Sequence, residues 1–195
     1  MNIKKLLTFI IVSFFSVLFL AEKALAEKAL VEKTAVLADV QTWQTVEHGV
    51  TFSLRQILSD QVNAFYIGRG FTINQIKAYA KTCVYTTILR NDKALGRIHY
   101  VRNNWSIINK GKSQKIRKNS DWLSELKQKN VKASALIAFR FAQFPQEQEY
   151  DPNGDWNQGM LSINLPVGSQ FDIIVRWDIK GKPYELKLSE VNCIE

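Results

Sequence analysis

The sequence predicts a mainly β fold, an immunoglobulin-like β-sandwich with short helical insertions, with a small β-barrel as the alternative. Three observations carry this. Short runs rich in β-branched and aromatic residues recur from residue 40 to the C-terminus, their apolar and polar side chains alternate, and glycine, proline or asparagine punctuates them.

The N-terminus stands apart. Lys4 and Lys5 precede an apolar run from Leu6 to Ala21 and then a small-residue stretch, the three regions of a secretory signal peptide. A helix of those 16 residues would be about 24 Å long, short of the roughly 30 Å hydrocarbon core, so cleavage is expected over a permanent anchor. In the imperfect repeat AEKAL-AEKAL-VEK only Ala24-Leu25-Ala26 offers an Ala-x-Ala site, which places the cut after Ala26. The expected organisation is a signal peptide over 1–26, a flexible or helical segment over 27–39 and a single domain over 40–195, exported to a periplasmic or extracellular location. Loss of Lys4, Lys5, Lys23 and Glu22 with the leader lowers the net charge from +8 to +6. In an oxidising compartment Cys83 and Cys193, the two cysteines of the chain, are expected to form one disulfide.

Along the domain, Trp43 to Val46 and Val50 to Arg55 read as strands of a first hairpin turned by Glu47-His48-Gly49. Ser59 opens a helix that carries Val62, Phe65 and Tyr66 and ends at Gly68 and Gly70, and Thr72 opens another that carries Ile73 and Ile76. CVYTTILRN and GRIHYVRNNWSII read as a second hairpin turned by Asn91 to Gly96. A polar, basic segment from Asn109 to Ser120 leads into the helix DWLSELKQKN, and ALIAFRFAQF reads as a strand because Ile137, Phe139 and Phe141 alternate with Ala138, Arg140 and Ala142. The stretch EYDPNGDWNQGM, residues 149–160, reads as a long inter-strand connection. Beyond it come MLSINLP, a turn at Pro166 to Ser169, the strand FDIIVRWDI with Phe171, Ile173, Val175, Trp177 and Ile179 facing one way, a turn at Gly181-Lys182-Pro183, and a last strand with Tyr184, Leu186 and Leu188 inward.

The acidic stretch has two competing chemistries. Asp151, Asn153 and Asp155 alternate as in the first half of a calcium loop, but Trp156 stands where such a loop needs glycine and Ser162 where it needs a bidentate glutamate. As a recognition loop it offers Tyr150, Asp155, Trp156, Asn157 and Gln158, amphipathic rings beside directional donors and acceptors. Packing of Trp156 against the core competes equally with that role. Arg69, between Gly68 and Gly70 and amid aromatic residues, is a further binding candidate, with a helix end and a stacked guanidinium as its plainer role.

Lys110, Lys112, Lys115, Arg117 and Lys118 form a basic run suited to an anionic membrane surface or an acidic polymer, though a solvated loop is the simpler account. No stacking aromatics are interleaved within it, which argues against nucleic acid. The catalytic inventory is thin. His48 and His99 are the only histidines, and the chain has no G-x-S-x-G, H-E-x-x-H or phosphate-loop motif. The expected function is therefore a non-enzymatic binding or assembly module without a cofactor, recognising a protein or an anionic envelope component. The alternative is a ligand- or calcium-binding enzyme or carrier that uses the acidic loop 147–158.

Overall fold

The computed structural model describes residues 41–194, and the expected signal peptide and the segment 27–39 lie outside the described residues. Among the described residues ten strands form two antiparallel sheets, with four helices in the connections. The first sheet has the order β1-β2-β3-β8, from strands Thr42–Glu47, Val50–Ile57, Thr82–Asn91 and Asp155–Pro166. The second is centred on β9, Gln170–Ile179. One edge of β9 pairs along its length with β10, Lys182–Asn192, and the other meets β5, Ser106–Asn109, and β4, Ile98–Val101. Outside these lie β6, Lys112–Lys115, on β5, and β7, Glu147–Tyr150, on β4. Neither sheet closes into a barrel among the described residues.

The alternating patterns explain what each face does. Inward residues of both sheets, among them Phe52, Leu54, Tyr85, Leu89, Ile173, Val175 and Trp177, bury into one core. The opposite face of the first sheet is half covered. Helices α1 (Ser59–Ile67), α2 (Ile73–Ala80), α3 (Asn119–Gln128) and α4 (Ala133–Ala142) pack Tyr66, Ile76, Tyr79, Trp122, Leu126 and Phe139 over Val84, with Ile57 and Met160 beside them. Thr72 caps α2 as expected, its hydroxyl accepting from the Gln75 N–H while the Gln75 side chain returns to the Thr72 N–H.

Several expectations are corrected. ALIAFRFAQF lies mostly in helix α4, because Ala135 and Phe139, one turn apart, are the buried pair, whereas Ile137 and Phe141 are exposed. The basic segment is a β5–β6 hairpin turned at Lys110-Gly111, both with positive φ. The expected second hairpin is absent: β3 belongs to the first sheet and β4 to the second, so residues 92–97 form a corner, and a 3-10 turn, Arg102–Asn104, then breaks the expected strand in two. The last turn is Lys180-Gly181, and Pro183 lies within β10, an edge strand that tolerates its missing N–H.

The disulfide is present. Cys83 of β3 bonds Cys193 just beyond β10, across a separation of 110 residues. The bridge ties the two sheets together, and Gln56 reinforces it by donating to the Ile194 carbonyl and accepting from its N–H.

On the second sheet, His99 joins three strands. Its Nε2 lies 2.9 Å from Glu147 Oε1 on β7 and its Nδ1 3.1 Å from Asp178 Oδ2 on β9. The Glu147 hydrogen bond, aided by Asp178 and opposed by desolvation, raises the His99 pKa above its ordinary value. A raised folded-state pKa means the stabilisation is complete below the unfolded value of about 6.5 and fades as pH rises through the folded one. The stability difference between the parent and His99→Gln, followed by thermal melts, is therefore expected to be largest below pH 6.5 and to shrink at higher pH.

Candidate recognition surface

EYDPNGDWNQGM is a corner between sheets. Glu149 and Tyr150 end β7, residues 151–154 turn, and β8 begins at Asp155. Asn153 and Gly154 take positive φ, and their N–H groups donate to the Asp92 and Asn91 carbonyls. The Asp92 and Lys93 N–H groups in turn donate to the Gly49 carbonyl, so three turns are joined at one end of the molecule. Asn91, fully buried, links them from within: its amide donates to the Gly96 and Tyr150 carbonyls and accepts from the Ala94 N–H.

The expected site residues separate. Tyr150 is 2% exposed, with its hydroxyl against that of Tyr100, because its pairing with Ile98 turns it to the core side; this corrects its expected place on a contact surface. Asp155 and Asn157 are exposed or half-exposed but folded back on their own strand. Asp155 Oδ1 accepts from the Trp156 N–H and Oδ2 from the Asp151 N–H, while Asn157 Oδ1 accepts from the Gln158 N–H. Since β3 fills the other side of β8, these carboxamide and carboxylate groups cap the free edge that would otherwise invite another strand. The Asp151 carboxylate is held by the Arg97 guanidinium at 2.7 and 3.1 Å. The Asp151 and Asp155 carboxylates of the calcium-like set thus accept from protein donors, and no metal-holding group of side chains occurs among the described residues. Arg69 lies 3.4 Å over the Phe65 ring and donates to the Phe65 carbonyl, closing the end of α1.

Trp156 and Gln158 face outward, on the same side as Met160 but past the reach of the helices. Strand register assembles a row across all four strands of the first sheet: Val46 opposite Thr51, Thr51 opposite Arg90, and Arg90 opposite Trp156. A second row, Gln44, Ser53, Ile88 and Gln158, lies between this one and the helices. Val46 is 58% and Trp156 51% exposed. Arg90 is braced by Asp92, whose Oδ1 is 2.6 Å from Nε and whose Oδ2 also accepts from Thr51. Leu95, 92% exposed, stands in the adjoining corner.

The basic run is also divided. Lys112 and Lys115 lie on the exposed strand β6, beside the turn residue Lys110. Arg117 sits 3.7 Å over the Trp122 ring and pairs with Glu125, and Lys118 precedes α3. No family model, curated protein or solved structure matches this chain.

Proposed function

We propose that this protein is an exported, non-enzymatic binding module that recognises a partner protein through the uncovered end of its first sheet. The support is the row Val46, Thr51, Arg90 and Trp156, which combines exposed apolar surface with a tryptophan and a braced arginine, the residue types that dominate binding energy at protein interfaces. Export is supported by the charged, apolar and small-residue order of residues 1–26 together with the disulfide. The scaffold is sandwich-like in that both sheets share one core. The immunoglobulin-like version of that reading lacks comparable support, since β1, β2 and β3 follow one another within a single sheet.

The test is affinity capture, after crosslinking, from cells that make the protein, comparing the parent with a Trp156→Ala, Arg90→Ala variant of equal melting temperature. Loss of two central anchors is expected to lower recovery of the partner about tenfold or more. Equal recovery by the folded variant would remove the sheet face from the account.

A further inference from the structure

Where the second sheet meets helices α3 and α4, a groove of about 410 Å³ opens between the start of α3, the end of α4 and the 3-10 turn. Lys118, Asn119, Ser120, Arg140, Asn103 and Gln146 are among the residues that line it, and no carboxylate of the described residues does. It lies away from the sheet face described above, because Gln146 precedes β7 and the 151–154 turn follows that strand.

Behind the groove stands Arg102, only 1% exposed. Its guanidinium donates to Asn119 Oδ1 at 2.7 Å, Gln146 Oε1 at 2.6 Å and the Phe144 carbonyl at 2.8 Å, all neutral acceptors. A buried arginine is ordinarily matched by a carboxylate, since desolvating an uncompensated charge is costly. Among the described residues none lies within ion-pair distance of Arg102, Lys118 or Arg140, although Arg90, Arg97, Arg117 and Arg176 each have one. Burial accordingly pushes the Arg102 pKa down to about 10. The α3 N-terminus adds its partial positive charge, with no side chain capping it. The nearby acids are committed outside the lining: Asp121 is exposed and accepts from Ser120, and Glu147 is bonded to His99.

We propose that this groove binds an oxyanion, the phosphate or sulfate group of a ligand, held between Arg140, Lys118 and the first turn of α3, with Arg102 supplying compensating charge from behind. Asn119 and Gln146 connect Arg102 to the groove lining: each has its oxygen on the Arg102 guanidinium, while their amide N–H groups donate to the Phe144 carbonyl and Asn103 Oδ1. The half-apolar rim formed by Leu123 and Pro145 leaves space for the group that bears the anion. This inference does not rest on the sheet-face reading.

The test is titration of the isotope-labelled full chain with inorganic phosphate at constant ionic strength, followed by amide and arginine side-chain resonances. Lys118→Gln with Arg140→Gln removes two exposed cations that have no ion pair among the described residues, so the variant keeps its melting temperature. Saturable shifts at Ser120, Asp121 and the Arg140 side chain of the parent are expected, with the affinity read at Ser120 and Asp121 weakened about tenfold in this variant. In a second arm, phosphatidylglycerol vesicles are compared with phosphatidylcholine vesicles. Loss of phosphatidylglycerol binding in the variant identifies a lipid headgroup as the source, whereas saturable phosphate shifts with unchanged vesicle binding identify a soluble oxyanion. Shifts spread over all lysines and equal in parent and variant, or none at millimolar phosphate, would overturn the proposal.

Discussion

Replacing Cys83 and Cys193 together by serine is expected to lower stability by about 4 to 5 kcal/mol, the chain-entropy value for a loop near 100 residues. The loop here has a separation of 110 residues, and the bond joins the first sheet to the chain just beyond the second. Much of the local geometry has independent support. The Tyr85 hydroxyl donates to the Asn192 carbonyl, the Gly168 N–H to the Cys193 carbonyl and the Cys193 N–H to the Ser169 carbonyl. The variant is therefore expected to reach the same fold at low temperature, with the loss falling on the unfolded state. Urea denaturation of parent, reduced parent and double variant checks this: the last two should coincide at a much lower midpoint. A loss below about 1 kcal/mol would mean that the bridge restrains the unfolded chain far less than its length implies.

Gly159→Ala is expected to be strongly destabilising for the addition of a single methyl group, costing about 3 kcal/mol, the upper part of the usual range for overpacking. A Cβ at this position would lie 2.4 Å from the Phe144 nitrogen and 2.5 Å from its Cα, both backbone atoms. The chain cannot yield freely there, because the Phe144 N–H donates to the Met160 carbonyl at 2.8 Å. Displacing it also disturbs Gln143, whose amide accepts from the Tyr79 hydroxyl and donates to that of Tyr66 within the helical layer. Gly68→Ala is the matching control. Its φ is −60° and the nearest atom to an added Cβ lies 3.5 Å away, so its stability should be nearly unchanged. Near-ultraviolet circular dichroism and urea midpoints distinguish the two.

Much of the fold is legible in local pattern. The His48-Gly49 turn, the Thr72 cap and the five inward residues of β9 need only neighbours in sequence to be read. ALIAFRFAQF is not legible in this way, since Ile137, Phe139 and Phe141 fit a strand by alternation, while Ala135 and Phe139 fit a helix by one-turn spacing. Only packing decides between them. EYDPNGDWNQGM hides a strand because β8 begins as a free edge whose outward N–H groups take their acceptors from Asp155 and Asn157, so polar residues fill strand positions. Its Asn153-Gly154 pair was a turn signal, and it marked where the strand would start.

The two surfaces differ in the same respect. Trp156 and Gln158 were visible as candidates, but their partners Val46, Thr51 and Arg90 come from strands up to 110 residues away and are joined only by register. The groove draws on residues 103, 118–123 and 140–146, and Arg102 carries no sequence mark that it is buried without a carboxylate. Sequence spacing alone does not reveal a charge that lacks a counterion.

The sheet-face account is tested most directly by placing a photo-crosslinking residue at Gln158 and, separately, at Ser189 on β10, in cells that make the protein. Gln158 is an exposed end of the second row of the first sheet, and Ser189 is exposed on the other sheet. The account predicts a discrete protein adduct from position 158 that disappears with Trp156→Ala, and none from position 189. Equal adducts from both positions, or none from 158 while the protein accumulates in folded form, would contradict it.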